Sequence, residues 1–160
     1  MVIFANINAL NECTMSHVCA IYHIVISTYC RRMTICEEHK RDMFKYIFGV
    51  IRRYNCYLYR MNGYGNHIHI LLHLHPSVAL ATLVQSIKQG SSRWGKNDGR
   101  FAMFEGWGKE YFAATLSYDQ LPSVIAYIRN QEGHHAFVSL EEESRELCKA
   151  DGMVWYDGIE

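Results

Sequence analysis

Residues 66 to 75 read NHIHILLHLH, with Ile68, Ile70, Leu72 and Leu74 on the even positions and His67, His69, Leu71, His73 and His75 on the odd ones. Successive side chains of a β-strand point to opposite faces, so this run has one aliphatic face and one that carries four of the chain's nine histidines. The aliphatic face must be buried. A slip of one residue would send the histidines into the core instead, so the strand fixes the register of whatever pairs with it.

The flanking sequence supplies the partners. HVCAIYHIVIST (17 to 28) is rich in β-branched and aromatic residues and predicts a largely buried strand. Thr34 with Glu37 forms a capping box, and Ile35, Met43, Phe44, Ile47, Phe48 and Ile51 recur at helical spacing to about Tyr54. CYLYRMNG (56 to 63) alternates as a strand, and the Gly63-Tyr64-Gly65-Asn66 turn joins it to the histidine strand as a hairpin. Pro76-Ser77 opens a second helix with Leu80, Leu83, Val84 and Ile87 facing inward, ending before Gly90. A Gly-, Ser- and Trp-bearing irregular connection (90 to 110) leads to strand YFAATL (111 to 116). Ser117 with Gln120 then caps a third helix whose apolar side is Leu121, Val124, Ile125 and Ile128.

The order predicts an α+β fold, a ferredoxin-like or RRM-like βαββαβ four-stranded antiparallel sheet with an additional C-terminal helix. Its two crossover helices cover the aliphatic face, and the histidine face is expected to stay open. The 160 residues divide into an N-terminal extension (1–15), one domain (16–137) and an acidic C-terminal tail (138–160). Net charge is zero, yet residues 1 to 110 carry 13 Lys/Arg against 7 Asp/Glu, and residues 111 to 160 carry 3 against 9. Six cysteines lie scattered without a CxxC pair, which argues for reduced thiols and against a disulfide framework or zinc knuckle. No apolar run reaches the roughly 20 residues that span a bilayer, so a cytoplasmic location is expected.

Histidines two apart on a strand lie roughly 6.5–7 Å apart and converge readily on one cation, each through a bond of about 2.1 Å. His67 and His69 are the natural pair. His73 starts about 13 Å beyond His69, outside any shared ligand shell. On the last helix Tyr127 and Gln131 are four residues apart and stack on one helical face, away from the apolar stripe.

Four features together resemble a known family: His67-Ile68-His69 opening a strand, the KQGSSRW segment, the stretch ending Trp107-Gly108, and a helix reading Tyr-Ile-x-Asn-Gln-x-x-His-His from Tyr127. Over about residues 16 to 137 the chain looks like the single-tyrosine HUH transposases of small bacterial insertion sequences and their REP-associated tyrosine relatives. The resemblance implies a metal-dependent single-stranded DNA transposase that cuts and rejoins DNA through a 5′-phosphotyrosine. It implies Tyr127 as nucleophile on a catalytic helix, His67, His69 and Gln131 as ligands of Mg²⁺ or Mn²⁺, hairpin-ended single-stranded DNA as substrate, and a homodimer as in the insertion-sequence enzymes or a monomer as among the REP-associated relatives. Asn66 departs from the family, which often has an acidic residue there.

The basic residues Arg31, Arg32, Lys88, Arg93, Lys96 and Arg100 are candidate phosphate contacts, joined by Arg52 and Arg53. Tyr64, Trp94 and Trp107 are candidates for stacking on unpaired bases. The alternative reading is a domesticated or non-catalytic nucleic-acid-binding module on the same fold. A water-using metal hydrolase would leave Tyr127 idle and form no protein–DNA adduct.

Overall fold

The computed structural model describes residues 18–131 and 140–150. The elements are β1 (Ile21–Ser27), α1 (Lys40–Arg53), β2 (Tyr57–Tyr64), β3 (His67–His73), α2 (Leu80–Asn97), β4 (Phe112–Leu116), α3 (Leu121–Arg129) and α4 (Leu140–Ala150). The sheet order is β2-β3-β1-β4, every neighbouring pair antiparallel, as the βαββαβ reading requires. The assigned tail thus contains a helix, α4, and the extension at 1–15 lies outside the described residues. Among the described residues no helix is long and apolar enough to cross a membrane, and Cys19, Cys30, Cys36 and Cys56 are free thiols.

The alternation in β3 builds two different layers. Ile68, Ile70 and Leu72 pair across to Ile26, Ile24 and Tyr22 of β1 and pack under Met43, Ile47, Val50 and Ile51 of α1 and Leu83, Val84 and Ile87 of α2. Full burial of each such aliphatic side chain stabilises the fold by roughly 1.5–3 kcal/mol. On the other face Ile21 and Leu71 pack against Leu121 and Ile128 of α3, with Val124, Ile125 and Tyr127 at the margin. The histidine face is therefore not open, because α3 lies across it with the apolar stripe read from its sequence.

The hairpin turn is tighter than its four-residue reading, with Gly65-Asn66 alone between Tyr64 and His67. Gly63 faces Ile68 so closely that a Cβ would run into the His67 carbonyl oxygen. That turn also corrects the start of α1. Thr34 and Ile35 both donate their backbone N–H to the Gly65 carbonyl at 2.9 Å, so the expected capping box is tied to the hairpin and the helix begins at Lys40. The helix reading fails there because a tertiary acceptor outcompetes the local cap.

Helix α2 starts at Leu80, after the Pro76-Ser77 turn, and runs through Gly90 to Asn97, replacing the first eight residues of the expected irregular connection with helix. Its small residues are packing sites. A Cβ at Gly90 would come within 3.2 Å of the Tyr46 hydroxyl, and one at Gly95 within 3.0 Å of Phe104. Ser91 donates to the Ile87 carbonyl at 2.6 Å and accepts from Trp107 Nε1 at 2.8 Å. At the start of α3 the predicted capping box is present, Ser117 and Gln120 bonding reciprocally around a short 3-10 turn before Pro122 sets the helix.

Candidate active site

β3 delivers His67 and His69 to the same face, and both are fully buried, with ring centroids 4.9 Å apart. β1 adds a third imidazole. His23 is buried, pairs in register with Leu71 and lies nearly coplanar with His69, edge to edge, with ring centroids 5.2 Å apart and its Nε2 2.9 Å from His69 Nδ1. The sequence reading missed it, although it occupies the alternate face from Ile24 and Ile26 in β1 just as His69 does from Ile68 and Ile70 in β3. On the other ring, His67 Nδ1 lies 2.7 Å from Asn66 Oδ1.

α3 brings the tyrosine over these rings. Tyr127 is half-buried and stands edge-on to His69 at 5.8 Å and to His23 at 6.2 Å. Its helix is held from below by Asn62 of β2, whose Nδ2 donates to the carbonyls of Ile128 (2.9 Å) and Arg129 (3.4 Å). The last carbonyls of a helix lack partners within it, so an external donor both satisfies them and fixes where the helix ends. Asn62 sits opposite His69 in register, so the same contact ties the tyrosine helix to the histidine strand. α3 ends at Arg129 with Asn130 as its C-cap, so Gln131, which is fully buried, lies past the end of the tyrosine helix and not on it as the spacing predicts.

Metal-ligand chemistry fits this set. Nε2 of His67, Nε2 of His69 and Oε1 of Gln131 are buried atoms that make no hydrogen bond, although each residue has other contacts. Two imidazole nitrogens and an amide oxygen suit a divalent cation of intermediate hardness. Among the described residues no group of three or more His, Cys, Asp or Glu has a metal-holding arrangement.

Other histidines are engaged elsewhere. His73 Nε2 bonds the Val18 carbonyl at 2.8 Å, and His75 Nδ1 meets the Ser77 hydroxyl at 2.8 Å. The basic candidates divide by place. Lys88, Arg93, Lys96 and Arg100 belong to α2 and the turn after it, in the layer on the opposite side of the sheet from the histidines. Lys88 donates to the Lys109 (2.7 Å) and Glu110 (3.4 Å) carbonyls, and partial burial lowers its pKa. Arg100 is forked onto Asp98 and reaches Asp42 at 2.6 Å, while Arg93 and Lys96 are exposed. Arg31 and Arg32 follow β1, beside the Thr28 to Asn66 contact that leads into His67; Arg32 binds both oxygens of Glu105. Arg60, absent from the sequence candidates, is the cation opposite Leu71 in register and so shares the histidine face.

Of the three stacking candidates, the two tryptophans are structural. Trp107 lies in the core against Phe104, and Trp94 stacks on Tyr46 at 5.3 Å. Tyr64 is half-buried at the hairpin.

Residues 16–131 match the family model described as IS200-like transposase. The fold is similar to a REP-associated tyrosine transposase bound to a REP hairpin (TM-score 0.60, 12% identity, covering 94% of this chain and 92% of that one). It is also similar to a protein of Deinococcus radiodurans R1 described as a transposase (TM-score 0.53, 17% identity, covering 73% and 95%). No curated protein matches the sequence.

Proposed function

The chain belongs to the IS200-like transposase family, and on that premise we propose that it cuts and rejoins single-stranded DNA bearing hairpin ends, with Tyr127 as the nucleophile. The observation that carries the reading is Tyr127 lying edge-on to His69 and His23 above a buried histidine pair. The hairpin in the substrate follows the DNA named with the structurally similar REP-associated enzyme.

His67, His69 and Gln131 would hold the divalent cation, Mg²⁺ or Mn²⁺. When bound, the cation supplies Lewis-acid neutralisation of phosphate charge and stabilises the leaving oxygen. The chain's own residues do the rest. Tyr127, its phenol deprotonated, attacks the phosphorus; the new P–O bond to tyrosine replaces the bond to the 3′ oxygen, which leaves and takes up a proton. The 5′-phosphotyrosine conserves the broken bond, so a second DNA 3′-hydroxyl can reverse the step without ATP. Asn62 holds the tyrosine helix at its C-terminal end, and the α3 stripe shields the rings from water. Arg60 on the same face, with Arg31 and Arg32 at its border, offers charge to the phosphates. Because α3 lies over its own chain's histidines, each copy of a homodimer would carry a complete site.

The test is a denaturing gel of 5′- and 3′-labelled hairpin DNA with Mn²⁺. A protein-linked band carrying the downstream strand is expected, mapped by peptide sequencing to Tyr127 and absent in Tyr127→Phe, which removes one oxygen and leaves packing intact. Cleavage without an adduct would assign the site to a water nucleophile, and an adduct on another tyrosine would displace Tyr127.

A further inference from the structure

We propose that His23 is a positioning residue that holds His69 in the tautomer able to present Nε2 to a cation, a role that rests on the metal reading above. An imidazole that offers Nε2 must carry its proton on Nδ1, and that N–H, buried, needs an acceptor. For His67 the acceptor is Asn66 Oδ1 at 2.7 Å. For His69 it is His23 Nε2 at 2.9 Å, so His23 in turn keeps its own proton on Nδ1. The two rings are nearly parallel, inclined at 20°, and His23 is only 4% exposed, so neither has room to turn away. The partners are 46 residues apart in sequence and meet because β1 and β3 are antiparallel neighbours. The histidine pair is thus supported by two unlike acceptors, an amide oxygen next in sequence and an imidazole from the adjacent strand.

A merely packed histidine would show none of the following pattern. Gln at position 23 offers an amide oxygen that can replace Nε2 as acceptor; Leu fills similar space and offers nothing. In metal-free protein, ring ¹⁵N shifts should show His69 protonated on Nδ1 in wild type and in His23→Gln, and a tautomer mixture in His23→Leu, with His67 unchanged in all three. Mn²⁺ affinity, followed by electron paramagnetic resonance of the free ion, should fall about 10- to 100-fold in His23→Leu and be largely restored in His23→Gln. Wild-type His69 protonated on Nε2 overturns the proposal without any variant having to fold. If wild type binds Mn²⁺ and His23→Leu binds it equally well, the role of His23 alone falls. If wild type takes up no Mn²⁺, the metal assignment and this role fall together.

Discussion

Ile68 and His67 are neighbours on β3, both without solvent exposure, and burial acts on them in opposite directions. For Ile68, with Ile24, Ile26, Ile70 and Leu72, removal from water is the driving force itself, and what matters is filled volume. For His67, His69 and His23 the same burial costs free energy unless each polar atom finds a partner. The fold supplies part of that compensation through Asn66 and the His23–His69 pair, while Nε2 of His67 and Nε2 of His69 make no hydrogen bond. One face of the sheet gains stability from burial alone; the other buries polar rings whose atoms have to be matched by specific partners. Adjacent positions should therefore fail in different ways.

The sharpest division is between His69 and Ile70. His69→Ala should reduce cation-dependent cleavage by ~10³-fold, the scale of losing a preorganised charge-stabilising group, and should also cost about 1–3 kcal/mol of stability because it leaves the buried His23 Nε2 without its bond. Ile70→Ala should cost about 2–5 kcal/mol in denaturant unfolding, yet its folded fraction should cleave at the normal rate. His73→Ala, on the histidine face but bonded to Val18, should keep activity; a loss there matching that of His69 would mean that the face acts as a whole and the pair is misassigned.

Asn62 connects the two kinds of behaviour, since it satisfies carbonyls of α3 and thereby places Tyr127. Asn62→Ala should lower stability by about 1–2 kcal/mol and slow adduct formation roughly tenfold, the cost expected for a small misplacement of a reacting group. Unchanged rates with lowered stability would make the contact purely structural.

The smallest effect belongs to the helical layer. Arg100 beside Asp98 holds that carboxyl at about 2, and Lys45 and Arg100 lower Asp42 as well. A depressed carboxyl contributes stability above its unfolded value near 3.9, and the contribution is lost as pH falls through about 2. Melting temperature should accordingly drop over that window, and Arg100→Ala should flatten the step. The groups are exposed, so the shift should be a few degrees at most, and cleavage at neutral pH should not change.

Much of the plan is legible because it rests on short-range rules. The alternation in NHIHILLHLH assigns the histidines to a face opposite the core, and Ser117 with Gln120 starts α3 where the reciprocal cap forms. The errors share one cause. Thr34 has a good local cap signal but spends its N–H on Gly65; Gly90, Ser91 and Gly95 look like helix breakers but admit Tyr46, Trp107 and Phe104 against the helix. In each case a contact distant in sequence overrides a local preference.

The sequence by itself determined the order of the elements from β1 to α3 and the two-faced character of β3, because periodicity and capping act within a few residues. Only the tertiary structure decided that α3 covers the histidine face and that His23 meets His69. It also decided that Asn62 anchors the tyrosine helix and that the cations of α2 stand on the far side of the sheet. Those facts depend on which strands become neighbours and which apolar stripe has a surface left to cover, and both are set by packing the whole chain at once.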